Sequence, residues 1–304
     1  MRITLIHNPT SGDAGHSASA LQRILRDEGY VVSYRSTDKD WKKALEPPQD
    51  LVVAAGGDGT IAKVARQMAH RDTPLTVLPL GTANNIAKTL GIAGDAREFV
   101  RSWRASSPRP FDLGVVMPGA QAEPFVEAFG GGIFGEVIAS GATVAGATIM
   151  GRETDRALHL LRSVAEAARP ARWRVEVDGR DLSGDYLAVE VMNVRFAGPN
   201  VPLARGADPG DGCLDVILIG PSERDALVAY ASERIRESDG QLSDMPRHQG
   251  RRVVLRPPRG VPLHLDDGLW TDDDKTGHGT IEIEADTAAL AVIWPHGSEG
   301  REAS

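Results

Sequence analysis

The sequence predicts an α/β protein, with an N-terminal parallel-sheet domain followed by a mainly antiparallel, β-rich C-terminal domain. Three observations predict it. The first third alternates short apolar runs with segments of helical period, as in a parallel sheet covered on both faces. Near Pro108–Asp112 the pattern changes, and strand-like segments dominate the rest of the chain. The 304 residues also suit two domains, since a domain usually runs to about 100–200 residues.

In order, Ile3–Ile6 reads as a strand, and Ser17–Glu28 as a helix with Leu21, Ile24 and Leu25 on one face. Val31–Tyr34, Leu51–Ala55 and Leu75–Leu80 read as further strands, with helices over Ile61–His70 and Ala83–Leu90. The second domain offers strands at Leu113–Met117, Pro124–Phe129, Trp173–Asp178, Tyr186–Met192 and Leu214–Gly220. Arg252–Arg256, Pro262–Leu265, Ile281–Ala285 and Leu290–Trp294 complete them. Trp173–Asp178 alternates with period two, and Val177-Asp178-Gly179-Arg180 signals a hairpin turn. Helices are expected near Glu153–Ala168 and Ser222–Glu237. The predicted domains are 1–113 and 114–297, and the final strands either stay with the second or return to the first. Residues 298–304 read as a flexible tail.

Composition narrows the function. Lys and Arg number 34 against 42 Asp and Glu, a net charge of −8, which argues against a double-stranded nucleic-acid binder. The lone cysteine, Cys213, excludes an intramolecular disulfide and a Cys-based structural zinc site, and suits a reducing cytosol. The opening residues carry too short an apolar run for a signal peptide. Phe129–Met150 is the stretch nearest to a membrane span, but its glycines and Glu136 make it a Gly-rich turn and packed helix. Any meeting with lipid is therefore expected at the surface. Arg247, Arg251, Arg252, Arg256 and Arg259 share an acid-free window, followed by Asp266, Asp267, Asp272, Asp273 and Asp274. They read as solvated loops or as a basic rim meeting anionic lipid or phosphate. The histidines show no metal-ligand spacing, and His7 and His264, on expected strands, read as satisfied core residues.

Three polar, glycine-bearing loops follow expected strands. They are Asn8-Pro9-Thr10-Ser11-Gly12, Gly56-Gly57-Asp58-Gly59-Thr60 and Pro79-Leu80-Gly81-Thr82-Ala83-Asn84-Asn85. Glycines at the carboxyl end of a parallel strand let backbone N–H groups approach phosphates, and the next helix turns its positive end toward them. Asp58 suits holding Mg²⁺ or its waters, or taking a proton; its structural alternative is the cap of a tight strand–helix turn. Gly57-x-Gly59-x-x-Ala62 also fits a loose dinucleotide fingerprint, but it follows a third strand rather than the first, which argues against hydride transfer.

Together, Asn-Pro-Thr-Ser-Gly, Gly-Gly-Asp-Gly-Thr and Pro-Leu-Gly-Thr-Ala-Asn resemble the diacylglycerol kinase catalytic domain, in a superfamily of soluble bacterial lipid kinases and sphingosine kinases. Phe111-Asp112-Leu113-Gly114 resembles the family's Asp-x-Gly, and Phe129-Gly-Gly-Gly-Ile-Phe-Gly135 a Gly-containing segment. Asn193, Gly198, Pro199, Pro202 and Asp211-Gly212-Cys213-Leu214-Asp215 resemble its Pro…Asp-Gly-x-Leu-Asp signature. The resemblance covers about residues 1–295. The Gly-Gly-Asp-Gly-Thr core is shared with NAD kinases and phosphofructokinases.

The resemblance implies a nucleotide-binding domain, a lipid-binding domain and an active-site cleft between them. It implies ATP phosphates at Asn8, Pro9, Thr10, Ser11, Gly12, Gly56, Gly57, Gly59, Thr60 and Thr82, with Thr37 near the nucleotide. Asp58 and Asp112 match the family's Mg²⁺–water network. Asp211, with main-chain oxygens of Asp208 and Cys213, matches a structural metal loop; a hairpin turn is the plainer reading of Asp211-Gly212. The implied activity is a transferase reaction of phospholipid metabolism: transfer of the ATP γ-phosphate to a lipid hydroxyl, on diacylglycerol or a similar lipid. The implied setting is cytoplasmic, peripheral at the inner membrane face, with no nucleic acid or transmembrane segment. A homodimer is the generic expectation for assembly.

Two positions depart from the family. Asn84-Asn85 stands where the family reads Asn-Asp, and Asp266-Asp267-Gly268-Leu269 where it reads Asp-Gly-Glu. Leucine cannot accept a proton. Three alternatives stay open: Asp267 or a neighbouring aspartate supplies the base, Asp58 serves alone, or the protein binds nucleotide or lipid without efficient transfer. A kinase of a soluble substrate such as NAD is the remaining alternative.

Overall fold

The computed structural model describes all residues except 13–15, 47–48, 93, 95, 118–121, 143–151, 239, 272–278 and 295–304. The chain forms two compact units, Met1–Phe111 with the chain from Ala288 onward, and Asp112–Thr287.

The first unit follows the expected alternation. It runs β1 (Arg2–His7), α1 (Ala18–Asp27), β2 (Val31–Ser36), β3 (Leu51–Gly56), α2 (Asp58–Met68), β4 (Leu75–Pro79), α3 (Asn85–Thr89) and α4 (Ala96–Ser102). The Ser17 hydroxyl caps α1 by accepting the Ala20 N–H at 3.3 Å. Leu21 and Leu25 are the buried face of α1. Strands β4, β3, β1 and β2 pair in that order, all parallel. β3 is buried along its length, whereas β2 is the edge, with alternate residues exposed and Val31 at 67%. The expectation of strands covered on both faces therefore fails at β2, where the alternate exposure shows that one face of this edge strand is left uncovered. α4 had no clear sequence signal.

The second unit begins within β5 (Arg109–Met117) and continues with β6 (Glu123–Phe125), β7 (Ala128–Gly132), α5 (Ile133–Ala142), α6 (Arg152–Ala167) and β8 (Ala171–Val177). Next come β9 (Arg180–Asp181), β10 (Gly184–Tyr186), β11 (Ala188–Met192), β12 (Leu214–Ile219), α7 (Arg224–Ile235), β13 (Arg247–Gly250) and β14 (Arg252–Arg256). It closes with β15 (Leu263–Leu265), β16 (Gly268–Trp270) and the first part of β17 (Ile281–Val292). Six strands form an antiparallel sheet in the order β13-β12-β11-β7-β15-β16. β8 and β14 pair antiparallel in a second sheet, where β14 also pairs with β17.

Strands β11 and β12, inside the six-stranded sheet, are buried on both faces. Val189, Val191, Val216 and Leu218 share a core with Trp173, Val175, Val253 and Ile283 of the second sheet. Ala188, Met192, Ile217 and Ile219, which alternate with them, share a core with Leu161 of α6 and Leu227 and Tyr230 of α7. This double burial makes β11 and β12 continuous apolar runs despite being antiparallel.

Some elements differ from expectation. Pro124–Phe129 splits into β6 and β7, because Val126–Ala128 donate to a side chain rather than to a neighbouring strand. The two expected final strands are one, β17, carried through Ala288 in the left-handed region at φ 52°. Asp178 and Gly179 form the expected hairpin turn, with φ of 48° and 81°. The arginine window is not a row of unpaired cations. Arg247 binds the buried Asp215, and Arg252 pairs with Glu282 at 2.7 Å and Glu284 at 3.8 Å. The Arg256 guanidinium donates to the Thr280 hydroxyl. Among the described residues no helix is long and apolar enough to cross a membrane.

Candidate functional site

In the first unit, strand order reverses between β1 and β3, the crevice where open α/β sheets bind ligands. The loops after both strands flank it and are tied together. The Asn8 N–H donates to the Ala55 carbonyl at 3.0 Å, and its side-chain amide to the Thr60 hydroxyl at 3.3 Å. Asn8 Oδ1 accepts from the Thr10 N–H at 3.1 Å and the Thr10 hydroxyl at 2.8 Å. Gly12 takes φ 86°, which glycine adopts without steric cost. Thr37 follows β2 on the same edge, donating its N–H to the His7 carbonyl at 2.9 Å. Pro9 is exposed, Ser11 half-buried.

The loops after β3 and β4 touch backbone to backbone. A Cβ on Gly81 would lie 2.6 Å from the Cα of Gly57. Asn84, at φ 53°, closes the second loop by accepting the Gly81 N–H at 2.9 Å and donating to its carbonyl at 2.7 Å. Thr82 is exposed on this loop. Sequence reasoning gave Asn84 no role of its own.

Asp58 begins α2 but caps α3. Its Oδ1 accepts the Ile86 N–H at 3.0 Å, and the N–H groups of Asn85 and Asn84 also point at the carboxylate. Burial pushes the Asp58 pKa up, against the pull of those N–H groups and of Lys88. It is thus a better proton acceptor than a solvated aspartate. Asn8 through Gly12, Thr37, Gly56 through Thr60 and Thr82 accordingly share one edge of one sheet.

The second unit carries two further groups. Asp112 is buried and accepts the Gly212 N–H at 2.7 Å. Asp208 Oδ1 accepts the Gly210 N–H at 3.0 Å, and the Asp208 carbonyl accepts the Asp211 N–H at 3.3 Å. The Asp211 carboxylate accepts from the Cys213 N–H at 2.9 Å and the Gln249 amide at 3.2 Å. The expected hairpin turn at Asp211-Gly212 is not formed: the segment is a local turn centred on Pro209-Gly210, in the long connection between β11 and β12. Among the described residues no three His, Cys, Asp or Glu side chains group to hold a metal. The oxygen donors of Asp208 and Asp211 nevertheless fit a hard cation, because each bonded oxygen keeps a second lone pair. The Cys213 thiol is half-buried.

The second group is the β15–β16 hairpin, whose two-residue turn is Asp266-Asp267. Asp267 is exposed, as is Leu269 at 45%. Asp266 is buried at φ 52°, and its Oδ1 accepts the N–H groups of Val126 at 3.1 Å, Glu127 at 2.7 Å and Ala128 at 3.3 Å. The sequence reads Asp266 as a shifted base or as part of a solvated loop; its burial overturns the solvated reading. Asp272, Asp273 and Asp274 lie outside the described residues. His264 is the satisfied core residue expected, with partners on both ring nitrogens. His7 is satisfied on one side only: Nδ1 meets the Tyr34 hydroxyl at 3.2 Å, and the buried Nε2 has no partner.

Comparison with known families matches two profiles in tandem. Residues 2–116 match the diacylglycerol kinase catalytic domain. Residues 140–293 match the YegS C-terminal NAD kinase beta sandwich-like domain. The chain belongs to the diacylglycerol kinase catalytic-domain family. Among relatives of this lipid kinase family, a protein of Pseudomonas syringae pv. syringae named "probable lipid kinase YegS-like" is 32% identical, with 92% of each chain covered. A diacylglycerol kinase of Bacillus subtilis is 27% identical, over 87% of this chain and 89% of that one. The crystal structure of a diacylglycerol kinase from Bacillus anthracis superposes with a TM-score of 0.70 at 17% identity, covering 97% of each chain. At that identity the likeness shows the shared α/β plus antiparallel-sheet fold.

Proposed function

We propose that this family member transfers the γ-phosphate of ATP to the hydroxyl of diacylglycerol or a similar lipid. The observation that carries the reading is the joined set of glycine-bearing loops at the β1/β3 switch point, within a chain that matches the two family profiles over residues 2–116 and 140–293. The first unit is the nucleotide-binding domain and the second the acceptor domain. Asn8–Gly12, Gly56, Gly57, Gly59, Thr60 and Thr82 receive the phosphates, with Thr37 beside the nucleotide. Asp58 would hold Mg²⁺ or its waters, and the ion would neutralise charge on the transferring phosphoryl group; Asp112 is assigned to the same network on the resemblance alone. Asp208, Asp211 and the Cys213 carbonyl form a separate structural cation loop. Asp267 is the proton acceptor that Leu269 cannot be. A cavity of about 320 Å³ in the second unit, walled by Ile133, Val164, Leu187, Val261 and Pro262 and edged by Tyr186, has the size and polarity of a small-molecule pocket and suits a lipid chain. The protein works in the cytoplasm at the inner membrane face.

Labelled γ-phosphate from ATP–Mg²⁺, offered to mixed-lipid micelles, is expected in one organic-extractable product. A second reading rests on Leu269: a nucleotide- or lipid-binding regulator without efficient transfer. Its outcome is ATP binding with no labelled product. Label in a water-soluble acceptor such as NAD would overturn both.

The Gly57–Gly81 contact gives a further prediction. Gly81→Ala sets a methyl against backbone that cannot yield cheaply, and overpacking costs about 1–3 kcal/mol. Thermal melting and ATP titration are expected to show a lower midpoint and about tenfold weaker nucleotide binding, a change of about 1.4 kcal/mol. Unaltered ATP affinity would move the nucleotide away from these loops.

A further inference from the structure

A row of residues crosses three neighbouring strands of the second unit. Glu190 on β11 and His264 on β15 both stand opposite Gly130 on the strand between them, β7. Their side chains reach over the glycine and meet, His264 Nε2 to Glu190 Oε2 at 2.8 Å. A Cβ on Gly130 would overlap the Glu190 carboxylate. Glu190 has no exposed surface and His264 only 3%.

The contacts fix the protons. His264 Nδ1 faces the Asp266 carbonyl at 3.0 Å, and a carbonyl only accepts, so Nδ1 carries a hydrogen. Nε2 faces a carboxylate oxygen, so that contact needs a second hydrogen, borne by the ring or by the acid. The pair therefore holds one proton more than a neutral imidazole beside a carboxylate. From there the bonding continues in one direction. His264 holds the Asp266 carbonyl, and the Asp266 carboxylate holds Val126, Glu127 and Ala128 at the start of β7. Asn193 donates to the Val126 carbonyl at 3.1 Å and the Asp112 carbonyl at 2.9 Å, and Asp112 holds Gly212.

We infer that Glu190 and His264 are positioning residues: their shared proton locks the Asp266-Asp267 turn, and through it sets the exposed Asp267 carboxylate for the transfer step. The inference rests on the lipid kinase reading for its kinetic consequence only. Neither residue serves as the base itself, because both are buried and both His264 nitrogens are engaged. The cross-strand neighbour of Glu190 on its other side is Ile217, and that of His264 is Leu269, so no cation competes for the carboxylate within the row. The titratable groups facing His264 are Glu190 and Asp266. Of the elements packed on this face, α5 offers only Glu136, which is exposed, and the start of β7 offers Glu127.

Burial pulls the His264 pKa down, but the charge and hydrogen bond of Glu190, with the bond to Asp266, outweigh it and leave the pKa raised. A raised value means the folded chain keeps this proton above about pH 6.5, where a free imidazole loses it. The lock is thus present at acid and neutral pH and is lost as pH rises through the folded value.

Three variants test this. In Glu190→Leu, hydrogen exchange over residues 263–270 is expected to quicken by about tenfold or more while the first unit keeps its protection. Its kcat for lipid phosphorylation should fall on the order of 10²-fold at unchanged ATP KM, the scale of a misplaced catalytic group. Glu190→Gln can still donate to a neutral His264, so it should restore most of both and remove the alkaline decline expected of the parent. His264→Leu should match Glu190→Leu. If Glu190→Leu folds with parental exchange and parental kcat, the inference is wrong. It is also wrong if Glu190→Gln keeps the alkaline decline. If the parent transfers no phosphate to lipid while the exchange contrast persists, the function fails and the lock stands.

Discussion

Asp58→Ala is expected to abolish phosphate transfer, lowering kcat by about 10³-fold or more while the chain stays folded. Two losses combine. The variant removes the carboxylate proposed to hold Mg²⁺ or its waters and to take a proton, and a positioned acid–base group alone contributes about 10²–10⁴-fold. It also removes the acceptor for the N–H of Ile86 and its neighbours at the head of α3. That helix spans Asn85–Thr89 and follows directly on the Gly81–Asn84 loop.

The two losses separate in Asp58→Asn. An asparagine oxygen still accepts the Ile86 N–H, so most of the thermal stability should return. Its amide cannot hold a cation as a carboxylate does, nor take up a proton, so turnover should not return. Circular dichroism melts beside single-turnover transfer would read the two effects apart. Recovery of turnover in Asp58→Asn would confine Asp58 to capping α3 and transfer its proposed chemistry to another acid.

The first unit was legible because each of its signals is local. A parallel strand, a glycine-bearing loop and a helix follow one another in Leu51–Met68, and the structure assembles them in that order. Even so, the structural alternative for Asp58, the cap of its own strand–helix turn, is not what forms: the carboxylate caps the next helix. No spacing rule reports a side chain that caps a neighbour 28 residues away. The second unit was less legible because its polar machinery is set by register. Glu190, Gly130 and His264 are scattered in sequence and form one row only after three strands pair. The sequence did carry a trace. Phe129-Gly-Gly-Gly is too glycine-rich for a comfortable strand, and glycine inside a strand often marks a close approach. What approaches Gly130 was invisible until its neighbours were known. Ile281–Ala285 and Leu290–Trp294 looked separate for a related reason: Asp286 and Thr287 interrupt the apolar pattern without ending the strand.

Removing the Asp266 carboxylate, most cleanly as Asp266→Gly, is expected to cost more stability than removing any other side chain of the second unit's hairpin. The carboxylate is 6% exposed and receives the N–H groups of Val126, Glu127 and Ala128. An orphaned buried donor costs about 1–3 kcal/mol, and bonds to a charged acceptor lie at the upper end. Water entering the gap would recover part of that sum, leaving about 3–5 kcal/mol. Against a total of about 5–15 kcal/mol, this is a large fraction. Glycine is the right probe because Asp266 sits at φ 52°, where alanine would add strain of about 1–2 kcal/mol. Asp266→Ala should therefore be worse than Asp266→Gly by that margin. Asp266→Asn should be milder, since Oδ1 keeps all three donors and asparagine tolerates this backbone, and its loss is the charge and the second contact, Oδ2 accepting the Val126 N–H at 3.2 Å. Denaturant melts of the three variants are expected to rank Asn, Gly, Ala in falling stability. Equal losses in Asn and Gly would mean that the charge, rather than the acceptor geometry, holds the start of β7. Equal losses in Gly and Ala would remove the backbone contribution. The same ranking should appear in turnover if the turn presents Asp267. The Asn variant would then retain most of its transfer rate, and the Gly variant would lose it even at temperatures where it remains folded.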